Sequence, residues 1–506
     1  MGDLLRQRGN WRRGIGSGDG KRLLALVLIV FVAMGIVYSL ATPIFEASDE
    51  RWHYPVVKHI ADGQGLPVQD PTVSTAWRQE GSQPPLYYLL AAGITFWVDT
   101  SDFSQVQRPN PHAIVGLPQL VGNKNMMIHT DRERWPWQGT TLAVHLIRLV
   151  SVGLGAITVG LTWLIARHLW PGNRAVPLLA AMLVAFNPMF LFISASVNND
   201  NLAAPLAAGA VLVLLSALHR GQTIWDGLLL GALLGLGVLT KLSVLALLPV
   251  TAVALTWDAW RRRTWRTWLM NGVFIFAILA LIAGWWYWRN WTLYGEPMGS
   301  NRMLDIAGRR DEALTLSGLW AEFEGFRISY WALFGGVNIL ADRWVYPILD
   351  VLMVVGGVGV VVAGVSIVKS REGGIKSTNR QISKSTNQRI NESVNQGDTK
   401  STSQVVGRPG NRDLLGLSYS LDPISYLLLI GWVGLTFISL VRWTSQTYAS
   451  QGRLMFVAIA GLSSLLAAGL AILTPARWRW VMTSAVGGGL LILSGISPFR
   501  YIVPAY

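Results

Sequence analysis

Apolar runs close to 20 residues long recur down this chain, beginning with Leu23 to Ala41. A helix needs about 20 apolar residues to cross the hydrocarbon core of a bilayer. Spanning backbone must also satisfy its own hydrogen bonds, which leaves the helix as the economical solution here. The sequence therefore predicts an all-α polytopic membrane protein. The first run is too long for a signal-peptide core and no convincing small-residue cleavage site follows it, so it is read as a span. Further spans are expected at about 142–168, 174–193, 201–218, 224–240, 242–257, 268–288, 345–368, 421–442, 453–473 and 479–497. That makes about eleven transmembrane helices, N-terminus inside and C-terminus outside.

The formal net charge of +14 raises the question of nucleic acid. Its distribution answers no, because many Lys and Arg residues sit in short loops and tails flanking spans, the positive-inside pattern. Residues 1–22, with six Lys or Arg interleaved with Gly, read as a flexible cytoplasmic tail. Residues 43–140 hold one apolar run, Leu86 to Val98, too short to cross. We read 85–98 as an interfacial helix and 43–140 as one extracytoplasmic segment. Val56, Val57, Ile60 and Ala61 form a second apolar stripe at helical spacing, with Pro55 suited to that helix's first turn. Residues 99–140 suggest an ordered loop or lid, and 289–344 a second outer loop. Residues 369–415 are polar and repeat Lys-Ser-Thr-Asn at 376–379 and 384–387. Such a segment cannot bury a core and is expected to be a disordered cytoplasmic insertion. The chain has no cysteine, which excludes disulfides, thiolate metal sites and thiol catalysis.

On this topology the unusual polar residues collect at the outer face. The first is the stretch Phe45-Glu46-Ala47-Ser48-Asp49-Glu50-Arg51-Trp52-His53-Tyr54, just past span 1. Acids at a span's mouth are candidates for function. Alternatively Ser48 caps a short helix, with Asp49 and Glu50 favoured in its first turn by the helix dipole. On the same face lie Gln83, Tyr87 and Tyr88, then Asn199 and Asp200, Lys241, Arg289, Tyr294, Gln451 and Arg453. A sugar on a polyprenyl phosphate already has an anionic leaving group. Its transfer needs one carboxylate to take the acceptor's proton and fixed cations for the departing phosphate. A hydrolytic glycosidase would instead need two spaced carboxylates, which adjacent Asp49 and Glu50 do not supply. Each candidate has a plainer alternative. Lys241, Arg289 and Arg453 can anchor span ends, and the tryptophans can form an interfacial belt. Asn199 and Asp200 can cap a helix. His53, His59 and Glu50 could assemble a divalent-metal site.

Ser48-Asp49-Glu50-Arg51-Trp52-His53-Tyr54, then Gln83-Pro84-Pro85-Leu86-Tyr87-Tyr88, Leu239-Thr240-Lys241, Arg289-Asn290-Trp291-Thr292-Leu293-Tyr294-Gly295 and Gln451-Gly452-Arg453 occur in that order. Together they resemble the GT-C superfamily of integral-membrane glycosyltransferases. Within it they are most similar to bacterial relatives of protein O-mannosyltransferases and of the aminoarabinose transferase acting on lipid A. The resemblance implies a polyprenyl-phosphate-linked sugar donor, inversion at the anomeric carbon and an outward-facing site in a bacterial plasma membrane. It implies Asp49 as the catalytic carboxylate with Glu50 beside it, and Lys241, Arg289 and Arg453 on the phosphate. Gln83, Tyr87, Tyr88 and Tyr294 would complete the donor site, with His53, Asn199, Asp200 and Gln451 as further candidates. One departure is Gln83, where relatives often carry Lys. The acceptor, a glycan, lipid or protein, is not indicated. The rival classes are a transporter or flippase of lipid-linked glycans, which should show inverted repeats and midplane charges, and an inactive glycan-lipid-binding relative.

Overall fold

The first apolar run forms helix α1 (Gly18–Ala41), which buries Phe31 and Tyr38 and leaves Leu26, Ile29 and Leu40 exposed. A computed structural model describes residues 18–366 and 423–506 of the chain. Residues 1–17 of the basic tail and the whole 369–415 insertion lie outside the described residues.

Helix follows helix. After α1 come α2 (Glu50–Ala61), α3 (Leu86–Thr95), α4 (Gly139–Leu169), α5 (Ala175–Ala185), α6 (Pro188–Ser194), α7 (Asp200–Arg220) and α8 (Ile224–Val238). Then follow α9 (Leu247–Arg262), α10 (Trp265–Tyr294), α11 (Ser300–Ala307) and α12 (Leu316–Trp331). The chain ends with α13 (Val345–Ser366), α14 (Pro423–Thr444), α15 (Ile459–Leu473) and α16 (Arg479–Ser497). A two-residue hairpin, β1 (Leu333–Phe334) against β2 (Ile339–Leu340), is antiparallel with Leu333 opposite Leu340.

Among the described residues, nine helical segments are long and apolar enough to cross a membrane. The expected eleven is reached only by adding two pieces of a different kind. One is the pair α5 and α6, bent by 59°. Pro188 cannot donate to the preceding turn, and Asn187 accepts from the backbone N–H groups of Met189 and Phe190 at 2.9 and 3.1 Å, restarting the helix. The other is α8, only 15 residues long. Gly227, Gly231 and Gly235 line its contact with α10, where a side chain on Gly231 would lie 3.1 Å from the Phe274 carbonyl. Small residues at such spacing let two membrane helices approach closely.

The surface matches a bilayer. Leu269, Val273, Phe276 and Leu281 of α10 are exposed, as are Val351, Val354 and Val361 of α13. Exposed tryptophans lie toward both ends of the helices: Trp225, Trp260, Trp265 and Trp478 at one, Trp97, Trp288, Trp291 and Trp344 at the other. Indoles prefer the headgroup level. The protein is an integral membrane protein.

The loop between α1 and α2 departs from expectation. Ser48 does not cap α2: its hydroxyl donates to the Gly335 carbonyl at 2.7 Å. The residue before α2 is Asp49, left-handed at φ 63°, with no side-chain capping bond. Pro55 is not in the first turn but inside the helix. The Arg51 carbonyl it strands accepts from Gln107 Nε2 at 2.5 Å. The loop expected from position 289 also starts later, because α10 continues to Tyr294 and stops at Gly295, which is left-handed at φ 71°.

One ion pair fixes this loop. Glu50 and Arg148 of α4 are both fully buried. Glu50 accepts from Arg148 Nε at 2.9 Å and Nη2 at 2.5 Å, and from the backbone N–H groups of Phe45 and Val197 at 2.9 and 2.8 Å. Arg148 also donates to the carbonyls of Ser39, Thr42 and Pro43 at 2.8, 2.7 and 3.0 Å, at and just past the C-terminus of α1. The lid is tied to the same loop. Glu46 accepts from the Met126 and Met127 amides at 2.9 and 2.8 Å and faces His129 Nε2 at 3.0 Å.

Removing one member of a buried, hydrogen-bonded ion pair costs on the order of 3–5 kcal/mol. Arg148→Met is therefore expected to lower the melting temperature of the detergent-solubilised protein sharply, and unchanged melting would contradict the role given to the pair. A second expectation concerns pH. Burial disfavours charge on His129, but hydrogen bonds to Glu133 and Glu46 outweigh it and push its pKa up to about 9. A raised folded pKa stabilises fully below the unfolded value of about 6.5 and is lost as pH rises through the folded one. Limited proteolysis within 99–138 should accelerate as pH passes 9, and His129→Gln should remove that step.

Candidate active site

Asp49 sits where the acid loop turns into α2. Its carbonyl accepts from the N–H groups of Trp52 and His53 at 2.8 and 2.9 Å, so the backbone starts the helix while the carboxylate is left free for other partners. Short polar side chains tolerate the left-handed region best, and residues held there cluster at functional sites. Asp49 Oδ2 accepts from Arg453 Nη2. The arginine side chain is 4% exposed and the aspartate's 28%, so the acid is the open member of the pair. Burial works to raise the Asp49 pKa, but Arg453, His53 and Arg51 outweigh it and hold the carboxyl below its ordinary range.

Arg453 arrives on the 3₁₀ turn Gly452–Ala458 that leads into α15. A side chain at Gly452 would lie 2.2 Å from the Phe326 carbonyl. The Gly452 N–H donates to Ser329 Oγ at 2.7 Å. Glycine thus lets the turn press against α12, and Gln451 Oε1 receives Arg453 Nε at 2.6 Å.

His53 is one turn into α2. Its Nδ1 lies 2.7 Å from the Tyr88 hydroxyl and 3.6 Å from Glu80 Oε2. Burial lowers the His53 pKa to about 4, so the ring is neutral at pH 7. Across the site Lys241 Nζ donates to Asp200 Oδ1 at 2.5 Å. Asn199 Nδ2 donates to the Thr240 carbonyl at 3.2 Å and to Gln83 Oε1 at 3.3 Å. It does not cap α7; Asn198 Oδ1 takes the Asp200 N–H instead, at 2.9 Å. His53 lies within electrostatic reach of Asp49, Lys241, Arg453 and Asp200 together. Residues more than 400 positions apart thus meet in one polar cluster.

Other candidates are used elsewhere. Glu50 is enclosed by Arg148 and two backbone amides, so it positions the loop rather than facing the cluster. The Tyr87 hydroxyl pairs with Ser151 Oγ at 2.9 Å and accepts from the Asn198 N–H at 3.1 Å. Arg289 Nη2 donates to the Leu66 and Pro67 carbonyls at 3.2 and 2.9 Å, and Tyr294 accepts from the Gln69 N–H at 3.0 Å. These two residues staple segment 66–69 to α10, although Arg289 Nη1 stays buried without a partner. The suggested metal triad does not assemble. Glu50 is taken by Arg148 and His59 packs on Trp77 with ring centres 4.7 Å apart. Among the described residues no cluster of three or more His, Asp or Glu side chains is arranged to hold a metal ion.

Three features were not anticipated. Arg148 was legible in principle, as an arginine well inside an apolar run. Glu80, just ahead of the Gln83-Pro84-Pro85 motif, gives no sequence signal. The guanidinium groups of Arg51 and Arg78 lie 4.4 and 5.2 Å from the Trp52 ring, a pairing no spacing rule announces. Nearby, Leu319, Trp320, Phe323, Phe326, Phe437 and Ser450 line an apolar cavity of about 240 Å³ between α12 and α14.

Residues 142–288 match the sequence model of the dolichyl-phosphate-mannose-protein mannosyltransferase family. No curated protein matches the chain at a significant level. Similar solved structures include ArnT from Cupriavidus metallidurans bound to undecaprenyl phosphate, at 12% identity and TM-score 0.47, covering 96% of this chain and 65% of that one. The Archaeoglobus fulgidus oligosaccharyltransferase in complex with Zn and sulfate has 14% identity and TM-score 0.49, over 93% of this chain and 53% of its own. A protein O-mannosyltransferase complex of S. cerevisiae bound to the sugar donor has 19% identity and TM-score 0.39, over 55% and 34%. The chain spans less than two thirds of the length of each of these proteins. Residues 142–288 run from α4 into α10 and contain Asp200 and Lys241, and over this stretch the chain is similar to the dolichyl-phosphate-mannose-protein mannosyltransferase family.

Proposed function

We propose that the chain transfers a sugar from a polyprenyl-phosphate donor to an acceptor hydroxyl, with Asp49 as general base. The observation that carries this reading is the Asp49–Arg453 pair: an ionised, partly open carboxylate on a left-handed turn, beside a buried cation. The matched family is named for a dolichyl-phosphate-mannose donor, which supports a lipid phosphate as leaving group. The apolar cavity near Ser450 supports a lipid-facing approach. We place this end of the bundle outside the cytoplasm because the opposite end carries Arg220, Arg262, Arg263 and Arg477, and the sequence resemblance suggests a bacterial plasma membrane.

In the proposed reaction Asp49 takes the proton of the acceptor hydroxyl. The oxygen attacks the anomeric carbon on the face opposite the phosphate, and configuration inverts. The bond from that carbon to the phosphate oxygen breaks, and its electron pair leaves with the polyprenyl phosphate. Lys241 and Arg453 stabilise that charge. Lys241 is paired with Asp200 and Arg453 with Asp49, so the phosphate competes with Asp200 for one cation and with Asp49 for the other. Drawing Arg453 onto the phosphate releases Asp49 from its counter-charge and makes it a stronger base at the moment one is needed.

Asp49→Asn should retain folding and lower transfer from labelled polyprenyl-phosphate sugars by at least about 100-fold, the usual contribution of a positioned base. Undiminished transfer would sink the assignment. Because the Asp49 carboxyl is held below its ordinary range, kcat/KM should persist on acidification through the ordinary carboxylate range and fail only below it. An acidic limb at markedly higher pH would point to another base.

A further inference from the structure

Six acids are buried among the described residues: Glu46, Glu50, Glu80, Asp200, Asp226 and Asp258. Five face a cation, respectively His129, Arg148, Lys241, Arg220 and Arg262. Glu80 does not. The basic group at its carboxylate is His53, 3.6 Å away, and burial keeps that ring neutral at pH 7. Glu80 Oε1 accepts from Gln79 Nε2 at 3.0 Å, whereas Oε2 is buried and has no hydrogen-bond partner. A buried carboxylate with no cation is costly, and the group avoids the cost by keeping its proton.

The surroundings divide: burial and Asp49 favour the protonated form, Lys241 and hydrogen bonds from Gln79 and Gln83 favour the ionised one, and burial, the largest influence, prevails. From α2 Glu80 faces Asp49 and His53, from α3 Tyr88, and from the turn after α8 Lys241. Arg453 is also within electrostatic reach. Its own segment adds Gln79 and Gln83. On α11, Arg302 forms no ion pair with it among the described residues, and Asp305 pairs with Arg309. Burial and the charge on Asp49 push the Glu80 pKa up to about 8. Glu80 therefore senses both the proposed base and the proposed phosphate cation.

We propose that Glu80 works as a neutral acid whose free oxygen donates a hydrogen bond to the anionic leaving group of the donor. The inference rests on the lipid-phosphate reading above and assigns Glu80 a part in it. With Glu80 and His53 uncharged, Asp49 and Asp200 balance Lys241 and Arg453, and the cluster carries no net charge. Ionised Glu80 would add one negative charge and one acceptor where the phosphate needs a donor. A carboxylic acid at this place binds the anion; a carboxylate repels it.

Two measurements on the full-length protein in nanodiscs test this. Infrared difference spectra from about pH 6 to about pH 10, a range bracketing the raised value, should show a protonated-carboxyl band that titrates in wild type and is missing in Glu80→Gln. Binding of undecaprenyl phosphate is then followed over the same range in both proteins, so that the lipid's own titration cancels. Wild type should lose affinity relative to Glu80→Gln as pH rises through 8, by about tenfold at the plateau, the scale of one charge-assisted contact. Glu80→Ala, with no donor, should bind more weakly than Glu80→Gln throughout. No such band, or parallel binding curves for wild type and Glu80→Gln, overturns the proposal. If the band titrates but wild type binds no lipid phosphate at any pH, the proton on Glu80 stands. The ligand assignment then falls with the functional reading beneath it.

Discussion

The pairing of Glu50 with Arg148 is the contact on which the site depends. It joins the end of α1, the start of α2, the middle of α4 and the segment ahead of α7 through one guanidinium and one carboxylate. An ion pair so deep repays its desolvation only when every donor and acceptor is used, and here backbone groups complete the set. Two left-handed residues without glycine's freedom, Phe45 and Asp49, sit on either side of the constrained stretch. The loop between them has little freedom to relax, and so Asp49 projects where α2 alone would not have put it.

The cluster around Asp49 is nearly balanced in charge and nearly free of idle cations. Lys241 and Arg453, the two basic residues in it, are each engaged by an acid. Such a site does not attract anions by a standing positive field. In the proposed reaction it exchanges partners instead, which favours a ligand able to satisfy both cations at once. The adjacent Arg51–Trp52–Arg78 stack differs in kind, being two arginines on one indole with no ion pair to an acid among the described residues.

Much of the frame was legible because membrane helices announce themselves by length and apolarity. Asp49, Lys241 and Arg453 were legible for a related reason, since charge next to apolar spans is rare enough to stand out. What escaped notice depended on three dimensions. Glu50 looks equivalent to Asp49 in sequence, and only Arg148, 98 positions away, separates the structural acid from the exposed one. Arg289 carries the same span-end signature as Lys241, yet its guanidinium meets two carbonyls of a distant loop. Glu80 is marked by the cation it lacks, and sequence records no absences of that sort. Ser48 and Asn199 both had the composition of caps, and tertiary partners claimed each for another purpose.

The shortness of α8 bears on how a lipid would reach the cluster. Fifteen residues rise about 22 Å, some 8 Å less than the hydrocarbon thickness of a bilayer. Trp225, exposed in the first turn of α8, suits the headgroup level at that end. With that end so placed, Lys241, which follows the other end, lies inward of the near surface by about that difference. Under the proposed function, a polyprenyl phosphate slides in sideways from its leaflet, headgroup sinking slightly, without its tail ever leaving oil.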